Sequence, residues 1–335
     1  MKTISDIGEF GFIDKIAAKY SLQNKKSLGI GDDCSVVSID ENQSRLVTTD
    51  MLIENVHFLR DKISADTLGY KSLAVNFSDI AAMGGVPENI YISLGLPGDI
   101  PVAWLEDFYA GLNTLAEKFQ AQLMGGDTTS SRQNIIINIL VSGRIETKNI
   151  KYRKGANPND IICVNDKLGD SAAGLKILLN NIETDKNLNN LIQAHNKPEP
   201  KIIEGNFLSR SSAVNAMLDV SDGIGSDIRH IMERSGIGAR IDLDSLPVSN
   251  NLKSAANKYN WNAIDLAVNG GEDYCLLFTV DPAGFDELKR NYETKFSSSI
   301  TKIGVIQEKD YGLRYFYKDE EQQFRGEGFD HFKNV

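Results

Sequence analysis

Short clusters of acidic residues, most of them beside glycine, recur through both halves of this 335-residue chain. They lie in the segments GIGDD, TTD, NFSD, GGD, DVSDG and GGED. Most follow an apolar, strand-like run, so we expect the acids at strand ends next to turns. Two carboxylates about 4 Å apart repel by roughly 4 kcal/mol at an effective dielectric of 20, so acids gathered together require cations. The pattern predicts a cleft, lined by both halves of the chain, that holds magnesium through oxygen ligands.

Length and composition favour two domains of ordinary size over one compact core. Apolar residues make up 41% of the chain and charged residues 24%, as in a soluble globular protein. A polar, basic and turn-rich break falls at residues 147–160, TKNIKYRKGANPND. We therefore expect an N-terminal domain at residues 1–148 and a C-terminal domain at residues 149–335.

The charge of the chain limits its partners. It carries 46 Asp and Glu against 36 Lys and Arg, a net charge of −10. This acidity argues against nonspecific binding of nucleic acid, and it suits a phosphorylated substrate only if metal ions reverse the local field. The N-terminus has no signal-peptide pattern, and no apolar run reaches 18 residues. We expect a cytoplasmic protein that does not contact a membrane.

Several chemistries are excluded by missing motifs. The cysteines, Cys34, Cys163 and Cys275, are odd in number and far apart, so they form neither a disulfide framework nor a CxxC zinc site. We expect them to be small core residues. The four histidines lack HxxxH spacing, which argues against zinc. Neither GxxxxGK[ST] nor GxSxG occurs, so the chain has no Walker-type loop and no serine elbow.

Hydrophobic periodicity predicts elements of both kinds without a strict βαβ rhythm, which favours an α+β fold over a doubly wound sheet. We expect helices at 9–20, 66–83 and 102–119, with a stop at the Gly84-Gly85 pair. Strands are expected at 45–49, YISLGL, 135–145, IICVND, AMLDV and YCLLFTV. The second half adds helices at LGDSAAGLKILL and 226–235, and residues 183–200 are expected to be a surface linker or loop.

Single motifs leave alternatives open. Asp79 lies in an apolar helical setting with Asn76 on the same face, so it is either a site residue or half of a structural ion pair. LGDSAAG could present amides to a phosphate, but Ser171 as an ordinary N-cap is the preferred interpretation. His57 is either a half-buried structural residue or a site residue. Arg153 is either solvated or a bidentate phosphate partner.

An ordered set of motifs runs from Gly8 to the closing segment GFDHF, and it comprises GEFG, GIGDD, TTD, NVHFL, LAVNFSDIAAMGG, GGDTT, LGDSAAGL, DVSDGIGSD and GGEDY. In order and spacing this set closely resembles the thiamine-monophosphate kinase family. The wider superfamily includes aminoimidazole ribonucleotide synthetase, selenophosphate synthetase and a hydrogenase-maturation protein, all of which use ATP with acid-held magnesium. The resemblance implies transfer of the γ-phosphate of ATP to thiamine monophosphate, giving thiamine diphosphate and ADP.

The resemblance also implies roles for individual residues. Ligands of several magnesium ions would be Asp33, Thr48, Thr49, Asp50, Asp79, Asp127, Asp219 and Asp222. ATP would contact Tyr109, Gly126, Asp127, Arg153 and Ser221. Thiamine monophosphate would contact His57, Glu272 and Phe329. Phe329 departs from the family pattern, in which Tyr or Trp is expected more often. Phenylalanine lacks their polar group but keeps an aromatic face for stacking.

The implied chemistry needs no catalytic side chain. The acceptor phosphate has a second pKa near 6 and is largely a dianion at pH 7, so it requires no general base. Positioning and charge neutralisation would carry the reaction. The resemblance further implies that the N-terminal domain binds ATP and magnesium, that its β-sheet pairs across a homodimer, and that the C-terminal domain completes the nucleotide and substrate site.

Rival functions are distinguished by short sequence features. A selenophosphate synthetase should carry a reactive Cys with a nearby Lys ahead of GIGDD, but residues 1–30 contain no cysteine. A hydrogenase-maturation protein should end in a cysteine tail, whereas this sequence ends in FKNV. Aminoimidazole ribonucleotide synthetase lacks support from NVHFL and GGEDY. A non-catalytic protein, in which metal only stabilises the fold, stays open, and ATP turnover with thiamine monophosphate would distinguish it.

Overall fold

The computed structural model describes residues 3–20, 27–324, 326 and 332. The described helices are α1 (Ile4–Tyr20), α2 (Ala65–Ala82), α3 (Val102–Phe119), α4 (Asp170–Leu179), α5 (Lys186–Asn196), α6 (Ile202–Ser209), α7 (Ile224–Ser235), α8 (Asn250–Tyr259), α9 (Ala263–Asn269) and α10 (Pro282–Phe296). The described strands are β1 (Ser27–Leu28), β2 (Ser35–Ser38), β3 (Gln43–Ile53), β4 (Val86–Leu96), β5 (Gln122–Ser130), β6 (Ile136–Glu146), β7 (Ile161–Val164), β8 (Val214–Asp219), β9 (Gly238–Asp242), β10 (Leu276–Val280), β11 (Thr301–Gln307), β12 (Leu313–Tyr317) and β13 (Glu320–Gln322).

The strands form two mixed sheets. The first sheet has the order β1-β2-β3-β6-β4-β5, with β4 and β5 parallel and its other neighbours antiparallel. The second sheet has the order β13-β12-β9-β11-β7-β10-β8, with β12 and β9 parallel. Helices flank both sheets. The predicted α+β class with two mixed α/β units is confirmed.

Helix α2 lies at the centre of the molecule, and its residues are almost all buried. Leu73 and Phe77 belong to the same apolar cluster as Met217 and Phe278 of the second sheet. The helix therefore packs against both halves of the chain, and one hydrophobic core joins them. The boundary at residue 148 stays a prediction, although the first sheet ends at Glu146 and the second begins at Ile161.

Several predicted elements agree with the structure and others do not. The expected helices at 66–83 and 102–119 are α2 and α3, and Gly84 follows α2 with a φ of +82°. The loop expected at 183–200 is wrong, because this segment contains α5, capped by the Asp185 side chain. The helix Ile4–Tyr20 is broken at Gly8, whose φ is +69°, so the helix expected at 9–20 is the part that follows this break. None of the described helices is both long and apolar enough to cross a lipid bilayer.

Candidate active site between the two sheets

Three carboxylates from separate elements converge where the two sheets meet. Asp33 lies in the loop before β2, Asp79 in α2 and Asp219 at the end of β8. One carboxylate oxygen from each lies within 4.8 Å of the other two. The sequence analysis predicted all three as magnesium ligands, and the fold does bring them together.

Hydrogen bonds to two faces of α2 hold this cluster in place. The Thr48 hydroxyl of β3 donates to Asp79, and the Asn76 side-chain oxygen accepts from the Asp50 amide at 3.1 Å. On another face of α2, the Ser78 hydroxyl donates to Asp219 at 2.5 Å. Asn76 and Asp79 therefore share the face towards the first sheet, as their spacing predicted, while Ser78 ties the helix to the second sheet.

Arg153 is the cation of this cluster. Its guanidinium donates from Nε at 3.0 Å and from Nη2 at 2.5 Å to one oxygen of Asp33, Oδ1. Its backbone amide donates to Asp32 at 3.1 Å. The interpretation of Arg153 as a solvated linker residue is wrong, because the side chain is only 23% exposed. The other oxygen of Asp33, Oδ2, is buried and has no hydrogen-bond partner among the residues that the structure describes.

Burial makes the acids of the cluster hard to ionise. Burial, and then the charge of the neighbouring Asp33 carboxylate, raise the pKa of Asp219 to about 7. Burial, and then the charges of Asp50 and Asp219, hold the pKa of Asp79 well above its usual range. The pKa of Asp50 is raised by burial to about 6. These carboxylates therefore need positive charge beside them to ionise together at neutral pH.

The residues present fit a hard divalent cation. The donor set is entirely oxygen, from carboxylates and hydroxyls, which is the set that magnesium prefers. The unpaired buried oxygen of Asp33 faces no competing donor among the described residues, and an unpaired buried polar atom is costly unless something binds it. A bound cation would satisfy that oxygen and offset the repulsion between the carboxylates.

Further acids follow Asp219 in the turn that leads into α7. Asp222 is half-buried, and its amide and charge both act on the carboxyl group of Asp227. Burial, then the charges of Asp222 and Asp219, hold the pKa of Asp227 well above its usual range. Its Oδ2 is buried and has no hydrogen-bond partner within the described part of the chain. Sequence reasoning did not single out Asp227. The signal was its place in DVSDGIGSD, five residues after Asp222.

Two predicted metal ligands, Thr49 and Asp127, lie on the outer face of the first sheet, away from the acidic cluster. Asp50 is in register with Ile139, Ile92 and Gly126 on the core side, so Asp50 and Gly126 are three strands, about 14 Å, apart. Thr49 accepts from Asn138 on the outer side, and Asp127 shares a register row with Asn138. The structure does not bring Thr49 or Asp127 to the cluster, so their metal roles stay predictions.

Two of the expected strand-end positions are also wrong. Asp50 lies inside the eleven-residue strand β3 and Asp127 inside β5, so neither follows the end of a strand. Gly126 is needed for close packing rather than for a turn, because a Cβ there would lie 1.6 Å from the Ile92 carbonyl oxygen. A β-strand can hide an acid on one face and expose one on the other, which a run of apolar letters does not reveal.

The predicted nucleotide and substrate contacts are scattered around the cluster. Tyr109 of α3 is half-buried against Phe108, and among the described residues no hydrogen bond joins it to the acids. His57 is half-buried in the turn after β3, where its Nδ1 accepts from the Ile53 amide at 3.0 Å. Phe329 lies outside the described residues. The predicted roles of these three residues stay predictions.

Glu272 is held by two residues that the sequence analysis did not choose. Its Oε2 lies 3.1 Å from Lys71 Nζ and 3.1 Å from His195 Nδ1. Its backbone has a left-handed φ of +62°, and its amide donates to the Ser221 carbonyl at 2.7 Å. The GGED segment is thus fastened to the turn that follows Asp219, which places Glu272 beside the acidic cluster.

The side chain of the neighbouring Asp273 lies at the N-terminus of α4. Its carboxylate accepts from the Gly169 amide at 2.6 Å and from the Ser171 amide at 3.3 Å. The interpretation of Ser171 as an N-cap is wrong, because the N-cap position is occupied by Gly169, which has no side chain. An aspartate therefore takes the amides of LGDSAAG that a phosphate could have bound.

The chain matches two adjoining family domains. Residues 31–145 match the AIR synthase related protein, N-terminal domain, and residues 157–312 match the AIR synthase related protein, C-terminal domain. The first match covers most of the first sheet, and the second match covers most of the second sheet. The first match contains Asp33 and Asp79, and the second contains Asp219.

Relatives of known identity match almost the whole chain. The thiamine-monophosphate kinase of Haemophilus influenzae is 38% identical over 333 residues, 98% of each chain. That of Escherichia coli K12 is 39% identical over 332 residues, covering 97% of this chain and 98% of the relative. The Bacillus subtilis kinase is 34% identical over 335 residues, covering 97% and 99%.

Solved structures agree with these relatives. AaThiL complexed with AMPPCP and TMP superimposes with a TM-score of 0.86 at 35% identity, covering 99% of both chains. Thiamine-monophosphate kinase from Stenotrophomonas maltophilia gives a TM-score of 0.76 at 32% identity, covering 94% and 98%. Sequence, fold and the acidic cluster agree, and the chain belongs to the thiamine-monophosphate kinase family.

Proposed function

We infer that this protein phosphorylates thiamine monophosphate with ATP, giving thiamine diphosphate and ADP. The observation that carries this function is its identity of 34–39% to thiamine-monophosphate kinases over nearly the full length of both chains. A related structure holds AMPPCP and TMP together in one protein of the same fold. A non-catalytic role for the acids does not account for that combination.

We propose that magnesium is bound by Asp33, Asp79 and Asp219, with Asp50 and Asp222 close by. The unpaired oxygen of Asp33 and the raised pKa values of Asp79 and Asp219 support this assignment. Bound magnesium would neutralise the phosphate charges of ATP and of the acceptor. The remaining predicted ligands are Thr48, Thr49 and Asp127, which we propose contribute to binding several magnesium ions.

We propose that the side chains position the reactants and do not react themselves. An oxygen of the acceptor phosphate bonds to the γ-phosphorus while the bond from that phosphorus to the β–γ bridging oxygen breaks, releasing ADP. Arg153 supports this arrangement, because its guanidinium is fixed beside the acids and can donate to phosphate oxygens. ATP is a cytoplasmic metabolite, so we place the reaction in the cytoplasm.

The direct test measures both products. Purified protein, ATP, MgCl₂ and thiamine monophosphate should yield ADP and thiamine diphosphate in equal amounts, and addition of EDTA should stop the reaction. ADP release that is unaffected by thiamine monophosphate would contradict the proposed acceptor. With γ-labelled ATP and magnesium but without acceptor, the protein should remain unlabelled, and stoichiometric labelling that chases into product would contradict direct transfer.

A further inference from the structure

Lys71 lies in the middle of α2, where its side chain is 1% exposed. Its ammonium is 3.1 Å from Glu272 Oε2 and 3.4 Å from His195 Nε2. A buried ammonium is costly unless it is paired and hydrogen-bonded, so the burial of Lys71 within α2 requires an explanation. Ser78 lies about two helical turns further along α2 on the same side, and its hydroxyl donates to Asp219. The same side of α2 therefore contacts the acidic cluster and the Glu272 loop.

The contacts of His195 fix its tautomer. The Lys71 ammonium can only donate, so His195 Nε2 accepts from it. The imidazole proton then lies on Nδ1, which is 3.1 Å from Glu272 Oε2 and also 3.1 Å from the Ser171 hydroxyl oxygen. Burial, and then the Lys71 charge, lower the pKa of His195, in agreement with a neutral ring. The trio therefore consists of a lysine cation, a neutral histidine and a glutamate anion.

Both donors act on one oxygen of Glu272. Lys71 and His195 contact Oε2, while Oε1 receives no hydrogen bond from any described side chain or amide. The Glu272 side chain is 28% exposed, unlike the two donors behind it. Its left-handed backbone is a conformation that a residue with a side chain holds only when its surroundings impose it. The amide hydrogen bond to the Ser221 carbonyl and the side-chain contacts with Lys71 and His195 surround the residue in this conformation.

We propose that Lys71 and His195 are positioning residues for thiamine monophosphate: they hold Glu272 by Oε2 so that its Oε1 is presented to the thiamine part of the substrate. This inference rests on the proposed function. Thiamine offers a permanently cationic thiazolium ring and an aminopyrimidine donor, and either one is matched by a fixed carboxylate oxygen. The acidic cluster serves the phosphates, so the trio acts on recognition of the acceptor and not on ATP.

A buried ion pair that only stabilises the fold predicts a different result, because its loss would weaken all functions of the protein together. The measurement is therefore the KM for thiamine monophosphate against the KM for ATP in Lys71→Met, which keeps the apolar stem without the charge. We expect the KM for thiamine monophosphate to rise at least tenfold while the KM for ATP stays within about twofold. Lys201→Met is the matched control, since it removes a largely buried lysine whose partner is Asp166.

A double-mutant cycle tests whether Lys71 acts through Glu272. Lys71→Met in the background of Glu272→Gln should cause little further loss, because the carboxylate it positions is already absent. The double variant also removes both charges together, so it keeps the test available if Lys71→Met alone fails to fold. His195→Asn, whose amide can replace the Nδ1 donor, should retain a lower KM for thiamine monophosphate than His195→Leu.

The possible results separate the inference from the function on which it rests. A wild-type protein that does not phosphorylate thiamine monophosphate overturns the proposed function and the inference with it. An active wild type with an unchanged KM for thiamine monophosphate in folded Lys71→Met overturns the inference alone. Equal changes in both KM values, or additive effects in the cycle, also overturn it.

Discussion

At the scale of single residues, the acids of the cluster should oppose stability in the absence of metal. The pKa of Asp219 is raised to about 7 by burial and by Asp33, so its ionised form is disfavoured in the folded state at neutral pH. We predict that Asp219→Asn lowers turnover at least about 100-fold while metal-free protein melts at the same or a higher temperature. Activity assays and thermal melts with and without MgCl₂ measure both effects.

The control for this variant is Asp61→Asn, because the Asp61 side chain is 75% exposed. Wild type and Asp61→Asn should both gain melting temperature on addition of MgCl₂, and Asp219→Asn should gain much less. If Asp219→Asn kept its turnover and its magnesium-induced stabilisation, Asp219 would not be a metal ligand.

His230 gives a second residue-scale prediction, on pH. Burial, then the Arg153 and Arg234 charges, lower the pKa of its imidazole to about 4. The unfolded imidazole takes up a proton below about pH 6.5, whereas the folded one does so only near pH 4, so the unfolded state binds more protons between these values. The contribution to stability is therefore complete above pH 6.5 and is lost as the pH falls towards 4.

The measurement is the free energy of unfolding at pH 7.5 and pH 4.5 for wild type and His230→Gln. The wild type should lose about 1 to 3 kcal/mol more than the variant over this interval. Equal losses in the two proteins would show that the imidazole does not contribute.

Residue chemistry also decides how much of the site could be predicted from sequence. Asp33, Asp79 and Asp219 were predictable because acids in apolar or glycine-rich surroundings require a partner. Lys71 and His195 were not, because Lys71 meets a glutamate 201 positions away and only the fold brings them together. His195 was further obscured by the expectation of a loop, although Leu188, Leu191 and His195 show helical spacing and are buried in α5.

At the scale of elements, the contact of α2 with α3 depends on glycine. A Cβ at Gly69 would lie 1.9 Å from the Phe108 carbonyl oxygen, so α3 approaches closer than any side chain permits. We predict that Gly69→Ala lowers the free energy of unfolding by about 2 to 3 kcal/mol through overpacking. Chemical denaturation measures the change, and Gly98→Ala is the control.

Gly98 is suitable because nothing lies within 4 Å of a Cβ placed there. The control should stay within about 0.5 kcal/mol of wild type. Equal stabilities of the two variants would mean that the helices can separate without cost. Helix α3 was predicted at its observed length from its apolar face, yet this glycine contact was not predicted, because sequence periodicity identifies a buried face without identifying its neighbour.

At the scale of the whole molecule, β5 is an edge of the first sheet, and no other described strand pairs with its outer side. All nine residues of β5 are exposed, and Leu123 and Met124 are 47% and 53% exposed. Tyr91 on the neighbouring strand β4 is also exposed, at 42%. An exposed edge strand readily pairs with another chain, and paired copies of one chain usually form a closed two-fold dimer. We propose that this edge is the homodimer interface.

We predict that light scattering on the purified protein gives twice the 37.0 kDa mass of the chain. Changing Leu123 and Met124 together to lysine should shift the protein to the monomer, because a dimer would bring like charges together and bury them. Val102→Lys is the matched control, since Val102 is 70% exposed but lies on α3, and it should remain dimeric. A wild type that is monomeric at assay concentration would contradict the dimer. A dimer that survives the paired lysine change would show that the interface does not include β5.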